Sequence, residues 1–287
     1  IEEELRKKFD EVDHLKVSEL EVGVGEKGET FYKGEPLKVY DAVYCRGSFK
    51  YAGLLRALTT LIYKKAYTPL LPGTFTIAHD KLLTHLKFQD SGIPQPKTFV
   101  AVNAEAGKKI LKRMTFPVII KVVGGTHGKG VIIADSIENA RSTVDAVGLL
   151  KQPFLIQEYI ATQGIDIRVL VVGDDVIAMK RRANPGESRA NVHAGGVPEV
   201  FDLDIKTKKV AVQAARACGC DICAVDILEG AKGPLVIEVN VSPGLQGITK
   251  ATKINVADKI AKFLNQKARE FSSVKKKTAA KEMIEEV

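Results

Sequence analysis

Two polar residues interrupt an apolar run near the C-terminal end of the chain, in the stretch GPLVIEVNVSPG. Glu238 and Asn240 are two residues apart, so in a β-strand their side chains share one face of a sheet. The preceding run, ICAVDIL, would pair with this strand in a hairpin that places residue 228 opposite residue 234. Asp226 would then lie one diagonal step from Glu238. The spacing therefore predicts one face with two carboxylates and an amide oxygen.

These oxygen-bearing side chains suit two different chemical roles. Two neighbouring carboxylates repel each other unless a proton or a cation lies between them. Oxygen ligands without His or Cys favour Mg²⁺ or Mn²⁺, and such ions commonly bridge nucleotide phosphates. The alternative is a carboxylate pair that Lys or Arg neutralises at a sheet edge. Spacing alone does not decide between the two.

A second group with chemical potential surrounds Lys121, which interrupts the apolar stretch VIIKVV. A buried lysine requires an anion as its partner. The segment that follows, GGTHGKG, has four glycines in seven residues, and glycine lets backbone N–H groups approach a phosphate closely. Its spacing matches neither the Walker A loop nor the G-x-G-x-x-G motif. The segment is thus either a phosphate-binding loop or an ordinary hairpin turn.

Further polar residues follow two other predicted strands. GIDIR places Asp166 and Arg168 on one strand face, and FLIQEYI ends in polar residues, which are Gln157, Glu158 and Tyr159. A cluster of mainly basic residues comes next along the chain, with Lys180, Arg181, Arg182, Arg189 and Asn191. Strand parity across the turn GDD favours Arg182 on the face of Asp166, and a shift of one residue would put Arg181 there instead. The alternative for the cluster is a solvated charged face.

The bulk composition restricts the class of protein. With 287 residues, 45% of them hydrophobic and 27% charged, the chain is typical of a soluble protein of two or three domains. The net charge of +8 suits an acidic partner, but with 6% aromatic residues and no Trp we expect no specific nucleic-acid binding. No apolar run reaches about 18 residues and no secretory signal is visible, so we expect a cytoplasmic protein without a membrane span. The four cysteines, three of them in CGCDIC, are expected to be reduced thiols, with a zinc site as the alternative.

Changes in periodicity and Pro- and Gly-rich segments divide the chain into four parts. We predict a small α/β domain at 1–72, a subdomain with the Gly-rich loop at 73–160 and a subdomain with the acidic face at 161–272. A basic tail at 273–287 would be loose or a separate helix. An α/β domain usually opens on a strand, which leaves open an initial strand before residue 1.

Several individual elements are expected within these parts. The N-terminal domain should contain a charged helix over 1–15, a strand over 38–46 and a helix over 51–66. One continuous helix is expected over 78–92, ended by Gly92. Another helix is expected over 137–148.

Taken in order, these stretches resemble the ATP-grasp ligases, most closely the RimK-like glutamate ligase branch. The resemblance covers roughly 75–270, and the stretches that carry it are HDKLLTHL, PVIIKVVGGTHGKGV, LIQEYI, GIDIRVLVVGD, RRANPGESRANVHAGG, AVDIL and GPLVIEVNVSPGLQGI. It implies an α/β fold of the α+β ATP-grasp kind, in which a small N-terminal α/β domain precedes two subdomains that enclose the nucleotide.

The resemblance also implies roles for individual residues. ATP would be bound by Lys81, Lys121, Gly125, Thr126, Gly128, Gly130, Gln157, Glu158, Tyr159, Asp166 and Arg189. The catalytic groups at the reacting phosphate would be Arg189, Asn191 and Lys121. Two divalent ions, Mg²⁺ or Mn²⁺, would be held by Asp226, Glu238 and Asn240. The arginines expected to bind a substrate carboxylate are Arg46, Arg168, Arg181 and Arg182.

The chemistry implied is the formation of an amide bond. ATP phosphorylates a substrate carboxylate to an acyl phosphate, and an amine then displaces the phosphate. We expect L-glutamate as the amine, a protein C-terminus or a cofactor as the acceptor, and a homo-oligomer. Three alternatives stay open, namely an amino-acid ligase acting on a carrier protein in lysine or arginine synthesis, an ATP-binding regulator without turnover, and a basic ribosome- or RNA-binding module.

Overall fold

The computed structural model describes residues 1–122, 130–183 and 197–285, which form three antiparallel sheets with helices packed on them. This mixed architecture confirms the predicted α/β fold class. Among the residues described, no helix combines the length and the apolar character needed to cross a bilayer.

The N-terminal part contains a small sheet that the sequence did not indicate. Its elements are α1 (Glu2–Arg6), β1 (Leu20–Gly23), β2 (Glu29–Tyr32), β3 (Glu35–Pro36) and α2 (Ala52–Ile62), with the strands in the order β1-β2-β3. The charged helix expected over 1–15 ends at Arg6. The strand predicted over 38–46 is wrong, because within it only Ala42 forms a bridge, parallel to Tyr67. A β-prone segment becomes a strand only where a neighbour offers its backbone along the whole length.

The central part consists of one sheet with helices on one face. Its elements are β4 (Thr98–Ala101), α5 (Ala104–Leu111), β5 (Val118–Val122), β6 (Val131–Ala134), α6 (Ile137–Gly148) and β7 (Phe154–Glu158). Helices α3 (Thr74–His79) and α4 (Lys81–Asp90) precede this sheet in the chain, but their residues Phe75 and Phe88 pack into the core of the C-terminal part. The strands are ordered β4-β7-β5-β6. Val118, Ile120 and Phe154 pack into the core under α5 and α6, which leaves the opposite face of the sheet to Lys121 and Gln157.

The helix expected over 78–92 is two helices, and Asp80 is the reason. Its backbone is extended, with φ −108° and ψ 109°, and its carboxylate accepts hydrogen bonds from the N–H groups of Leu82 and Leu83. This N-cap supplies partners for orphan donors of a new helix and so starts α4 at Lys81. The helix expected over 137–148 is confirmed as α6, with Ser136 as its N-cap.

The C-terminal part is built on a five-stranded sheet of order β10-β9-β8-β11-β12. Its elements are β8 (Ile165–Val172), β9 (Asp175–Arg182), β10 (Val197–Val200), α7 (Ile205–Ala217), β11 (Ile222–Gly230), β12 (Gly233–Asn240), α8 (Gln246–Thr252) and α9 (Val256–Glu285). Helix α7 covers one face, where Cys218, Cys220 and Cys223 are buried and unbridged. On the opposite face, α8 and α9 cover the apolar half, which contains Leu170 and Ile177.

Helix α9 continues through the segment expected to be a tail. It runs without a break from Val256 to Glu285, so residue 273 lies inside the helix rather than at its end. The N-terminal segment is fastened to it, because Lys8 pairs with Asp258 at 3.1 Å and the Asn265 side chain donates to the Lys8 carbonyl at 2.6 Å. The expectation of a loose tail or a separate helix is therefore wrong.

The hairpin of β11 and β12 has a tighter turn than expected and contains a β-bulge. Gly230 faces Gly233, so residue 228 pairs with Leu235 rather than with residue 234. The register then shifts between Asp226 and Ile227, which leaves Ile237 as the extra residue. Because of the bulge, both Val236 and Val239 are buried on the α7 side and Glu238 emerges on the other side. Asp226 consequently lies directly opposite Glu238, not one diagonal step away.

Candidate active site

Charged residues from adjacent strands occupy the polar half of the face that α8 and α9 leave uncovered. Arg168 on β8 pairs in register with Asp226 on β11, and Asp226 pairs with Glu238 on β12. These three side chains form a row across three neighbouring strands. Asn240 follows two residues after Glu238 on the same face, and its Oδ1 accepts a hydrogen bond from the Ser242 N–H at 3.0 Å. The shared face predicted for the two carboxylates and the amide is confirmed.

Two arginines neutralise the buried carboxylates of this face. Arg168 donates to both oxygens of Asp226 at 2.8 and 2.7 Å, and Arg181 donates to both oxygens of Asp166 at 2.6 Å. Arg181 also lies 3.1 Å from Asp226 and is only 2% exposed. Burial alone would raise the pKa of Asp226, but the two guanidinium groups outweigh it and hold that pKa well below its usual range. Asp226 is therefore ionised.

The oxygen atoms on this face can be compared with the ligands that a divalent ion prefers. Glu238 is exposed, and no described residue donates a hydrogen bond to its carboxylate. With the second lone pairs of Asp226 and Asn240 it forms a set of hard oxygen donors, which is the set that Mg²⁺ and Mn²⁺ prefer. Neutralisation by arginine and metal binding are thus compatible here, because each carboxylate oxygen can accept more than one partner. The residues present fit the ion.

Arg182 does not belong to this face. Its neighbour Arg181 pairs in register with Asp166, so Arg182 points to the other side of the sheet. There its side chain is 52% exposed and lies 4.0 Å from Glu199. The parity expected across the GDD turn is therefore off by one residue, and Arg181 is the arginine that shares the face of Asp166.

Lys121 lies on the face of the central sheet opposite its helices. Its Nζ donates to the Gln157 side-chain oxygen at 2.7 Å. Burial lowers the pKa of Lys121 to about 8, the Glu238 carboxylate opposes this shift and Lys81 adds to it. Because Glu238 belongs to the other sheet, this influence links the lysine to the acidic face. Lys81 is the first residue of α4 and lies close enough to affect the pKa of Lys121.

The remaining predicted site residues fall into two groups. Glu158 is the last residue of β7, and Tyr159 follows it. The Glu158 N–H donates to the Lys97 carbonyl at 2.9 Å, and the Glu158 carboxylate accepts from the Lys97 N–H at 3.1 Å. Gly130 is the first described residue after 122; it has a φ of +77°, and its carbonyl accepts from the Val122 N–H at 2.9 Å. Other predicted residues lie outside the described part of the chain, and these are Gly125, Thr126, Gly128, Arg189 and Asn191.

Arg46 comes from the N-terminal part and meets the chain just after β12. Its Nη2 donates to the Pro243 carbonyl at 2.6 Å, and the adjacent Gly47 N–H donates to the Ser242 hydroxyl at 3.0 Å. Its Nη1 is buried and finds no hydrogen-bond acceptor among the described residues. A buried guanidinium N–H without a partner is costly, so this group is suited to an added anion.

Three residues that the sequence did not single out complete the surroundings of Lys121. His85 and Thr98 both contact the side chain of Gln157, and Gln95 contacts His85. The available signal was Gln157 itself, a fully buried amide in an apolar strand that must find partners for all its polar atoms. Nothing in the sequence spacing identified which residues those partners are.

Comparison with known proteins agrees with this geometry. The sequence profile of the RimK-like ATP-grasp domain matches residues 78–264, which is more than half of the chain. The chain belongs to the RimK-like ATP-grasp family. The family predicted from the sequence motifs is confirmed, and with it the enzyme class, an ADP-forming ATP-grasp ligase that forms a carbon–nitrogen bond. Members of this family use ATP and a divalent metal ion.

Curated relatives and solved structures extend the comparison. A probable alpha-L-glutamate ligase of Legionella pneumophila is 38% identical over 247 residues, which cover 84% of this chain and 81% of the relative. The ribosomal protein bS6–L-glutamate ligase of Salmonella schwarzengrund is 38% identical over 83% of this chain and 80% of its own. Among structures, the ATP-grasp ligase PsnB aligns over 93% of both chains with a TM-score of 0.73 and 20% identity. The D-alanine–D-alanine ligase of Bacillus anthracis aligns over 81% of both chains with a TM-score of 0.61 and 19% identity. At such identities the structures show a shared fold.

Proposed function

We propose that this RimK-like ligase joins L-glutamate to a carboxylate of a protein C-terminus or a cofactor, at the expense of ATP and through an acyl phosphate. The observation that supports the reaction is that Glu238, directly opposite Asp226 on the acidic face, lies within electrostatic reach of Lys121 on the other sheet. A lysine and metal-binding carboxylates that face each other from two sheets are what a nucleotide triphosphate requires. The relatives named as glutamate ligases, matched over four fifths of their length, support glutamate as the amine.

The role that we propose for each residue follows from its position. Lys121 and Lys81 hold the phosphates of ATP, and Glu158 and Tyr159 lie on the segment that holds adenine. Divalent ions bound to Asp226, Glu238 and Asn240 would supply positive charge at the transferred phosphoryl group. Arg189 and Asn191 are proposed to stabilise the acyl phosphate, by analogy with the family. Because no protein nucleophile is needed, positioning and charge neutralisation account for the catalysis.

The proposed substrate arginines differ in how far their guanidinium groups are already paired with carboxylates of the chain. Arg181 is enclosed by two carboxylates, so it cannot turn to a substrate without leaving Asp166 unpaired. Arg168 is likewise committed to Asp226 in a two-point contact. We therefore propose that Arg168 and Arg181 position the acidic face. Arg46, with its unsatisfied Nη1, is the better choice for binding a substrate carboxylate.

The proposal is tested by ADP release with a panel of single amino acids and a mixed pool of acceptors. Glutamate should stimulate release, and isotope-labelled glutamate should appear in a product by mass spectrometry. Stimulation by lysine or ornithine but not by glutamate would instead place the enzyme among the carrier-protein ligases. ATP binding without any turnover, or binding of RNA as the sole activity, would contradict the proposal altogether.

The same assay tests Arg46. Arg46→Lys and Arg46→Met should raise the KM for a carboxylate substrate and leave the KM for ATP unchanged, because Arg46 lies beyond the end of β12. Arg56→Met is the matched control, since Arg56 is an exposed arginine of the same N-terminal part whose guanidinium donates to the Thr76 hydroxyl at 3.0 Å. An unchanged KM in both Arg46 variants would remove Arg46 from the substrate site.

A further inference from the structure

A chain of buried hydrogen bonds runs from Gln95 to Lys121. The Gln95 amide nitrogen donates to the His85 carbonyl at 3.0 Å, and His85 Nδ1 lies 2.5 Å from the Gln95 amide oxygen. His85 Nε2 lies 3.2 Å from the Gln157 amide nitrogen, and the Gln157 oxygen accepts from Lys121 at 2.7 Å. His85 is 7% exposed and Gln157 is 1% exposed, so water does not substitute for these partners.

The donor and acceptor roles along this chain determine one another. Because the Gln95 nitrogen is used by the His85 carbonyl, the Gln95 oxygen must accept, and His85 Nδ1 must carry the proton. Neutral His85 then has a bare Nε2, which accepts from the Gln157 N–H. Thr98 donates its own hydroxyl proton to the Pro96 carbonyl at 2.9 Å, so it can only accept the other Gln157 N–H, at 2.7 Å. Both Gln157 donors are thereby used, and its oxygen faces Lys121.

We propose that His85 is a positioning residue for Lys121, and that its neutral form, acting through Gln157, keeps the ammonium group oriented toward the phosphates of ATP. A proton on His85 Nε2 would turn that nitrogen into a donor and confront it with the Gln157 N–H. Gln157 would have to flip its amide, which would present N–H groups to Lys121 instead of an acceptor. The inference rests on the proposed contact between Lys121 and ATP.

The surroundings of His85 favour the neutral form. Burial lowers the pKa of His85, the hydrogen bond that its Nδ1–H donates to the Gln95 oxygen opposes this, and the positive charges of Lys121 and Lys81 lower it further. Other ionisable side chains on the elements packed against α4 are His79 on α3, Glu238 on β12, and Lys206, Lys208, Lys209 and Arg216 on α7. His85 therefore stays neutral at physiological pH and takes up a proton only in acid.

Two substitutions separate positioning from simple packing. His85→Gln can keep an acceptor toward Gln157 but has no ionisable group, whereas His85→Leu fills the space without an acceptor. His14→Gln is the matched control, because it removes a histidine whose side chain is 75% exposed in the N-terminal segment. Calorimetric titration with a non-hydrolysable ATP analogue and Mg²⁺ gives the affinity of each variant from about pH 5 to about pH 8. Titration of the analogue itself is common to all variants, so the difference between them is the measured quantity.

The expected results are specific to each protein. The parent and His14→Gln should lose about tenfold in affinity as the pH falls through the pKa of His85. His85→Gln should bind like the parent at neutral pH but lose this acid-side decline, and His85→Leu should bind about tenfold more weakly throughout. Retention of the parent's pH dependence in His85→Gln would overturn the inference, even if His85→Leu failed to fold. Lys121→Ala serves to separate the two proposals. If Lys121→Ala binds the analogue as tightly as the parent, the proposed ATP site is wrong. If Lys121→Ala binds weakly and the affinity of His85→Gln depends on pH as that of the parent does, only the role of His85 is wrong.

Discussion

Two consecutive arginines on β9 provide a sharp test of the face that the structure assigns to each. Arg181 is 2% exposed and makes a two-point contact with Asp166, which is 12% exposed in its side chain, and a further contact with Asp226. Arg182 is 52% exposed and reaches a single carboxylate at 4.0 Å. Replacing each arginine with Met keeps an unbranched side chain of similar length but removes the charge. The two variants differ in position by one residue and in environment completely.

The expected losses of stability differ by several kcal/mol. Removing one partner of a buried ion pair costs about 3–5 kcal/mol, because the other charge is left buried and uncompensated. Arg168 still neutralises Asp226 in Arg181→Met, so the unpaired carboxylate is chiefly that of Asp166, and we expect about 3 kcal/mol. An exposed pair such as Arg182 with Glu199 contributes about 0–1 kcal/mol.

Urea unfolding followed by circular dichroism measures this difference. With a denaturant slope of about 3 kcal/mol per molar for a chain of this size, Arg181→Met should lower the unfolding midpoint by about 1 M. Arg182→Met should leave it nearly unchanged. Adding Asp166→Asn to Arg181→Met should recover about 1–2 kcal/mol, because it removes the unpaired carboxylate. If the two arginine variants unfolded at the same urea concentration, the assignment of faces on β9 would be wrong.

Three further predictions concern the site and the last helix. Glu238→Gln should lower turnover about 10²–10³-fold with little change in unfolding midpoint, since the side chain is exposed; ADP release at saturating Mg²⁺ near the parent's rate would remove Glu238 from the metal site. At pH 8 Lys121, with its pKa of about 8, should be about half unprotonated and should react with an amine-acylating reagent faster than the exposed lysines, with protection by ATP, as peptide mass spectrometry would reveal. Uniform labelling of the lysines, or no protection by ATP, would contradict the placement of the nucleotide. Deletion of 273–287 should preserve ADP release, because Ala268 is the last buried residue of α9 within 256–275, where burial is described. An inactive but folded truncation would show that the helix end contributes to the site.

Period-2 and period-3.6 patterns identified much of the site region. The helix over 137–148, the hairpin of β8 and β9 and the common face of Glu238 and Asn240 follow from local sequence. These features depend on side-chain periodicity and on turn residues, which are local properties of the chain. Local patterns are less reliable for strands, because a segment becomes a strand only if another strand pairs with it. The segment 38–46 has no such partner along its length and forms only the bridge of Ala42 with Tyr67.

One bulge shows the limit of counting along a strand. Alternation alone would put Glu238 on the same side as Val236, in the core under α7. The extra residue Ile237 reverses the alternation, and the sequence carries no direct mark of it. The register of Asp226 with Glu238 depends on this bulge, and the parity of Arg181 and Arg182 depends on the length of the turn between β8 and β9, so the pairing in the folded sheet fixes both.

The sequence by itself determined which residue types could do chemistry here: an isolated lysine and paired carboxylates in apolar strands, and glycines that admit a phosphate. A buried charge or amide needs a partner, so each such residue in an apolar strand indicates that a partner is present in the folded protein. Only the tertiary structure decided who the partners are. It enclosed Arg181 between Asp166 and Asp226, and it joined Lys121 to His85 through Gln157. The reason is that these contacts join residues 15 to 72 positions apart, and they form only when separate strands and helices pack together.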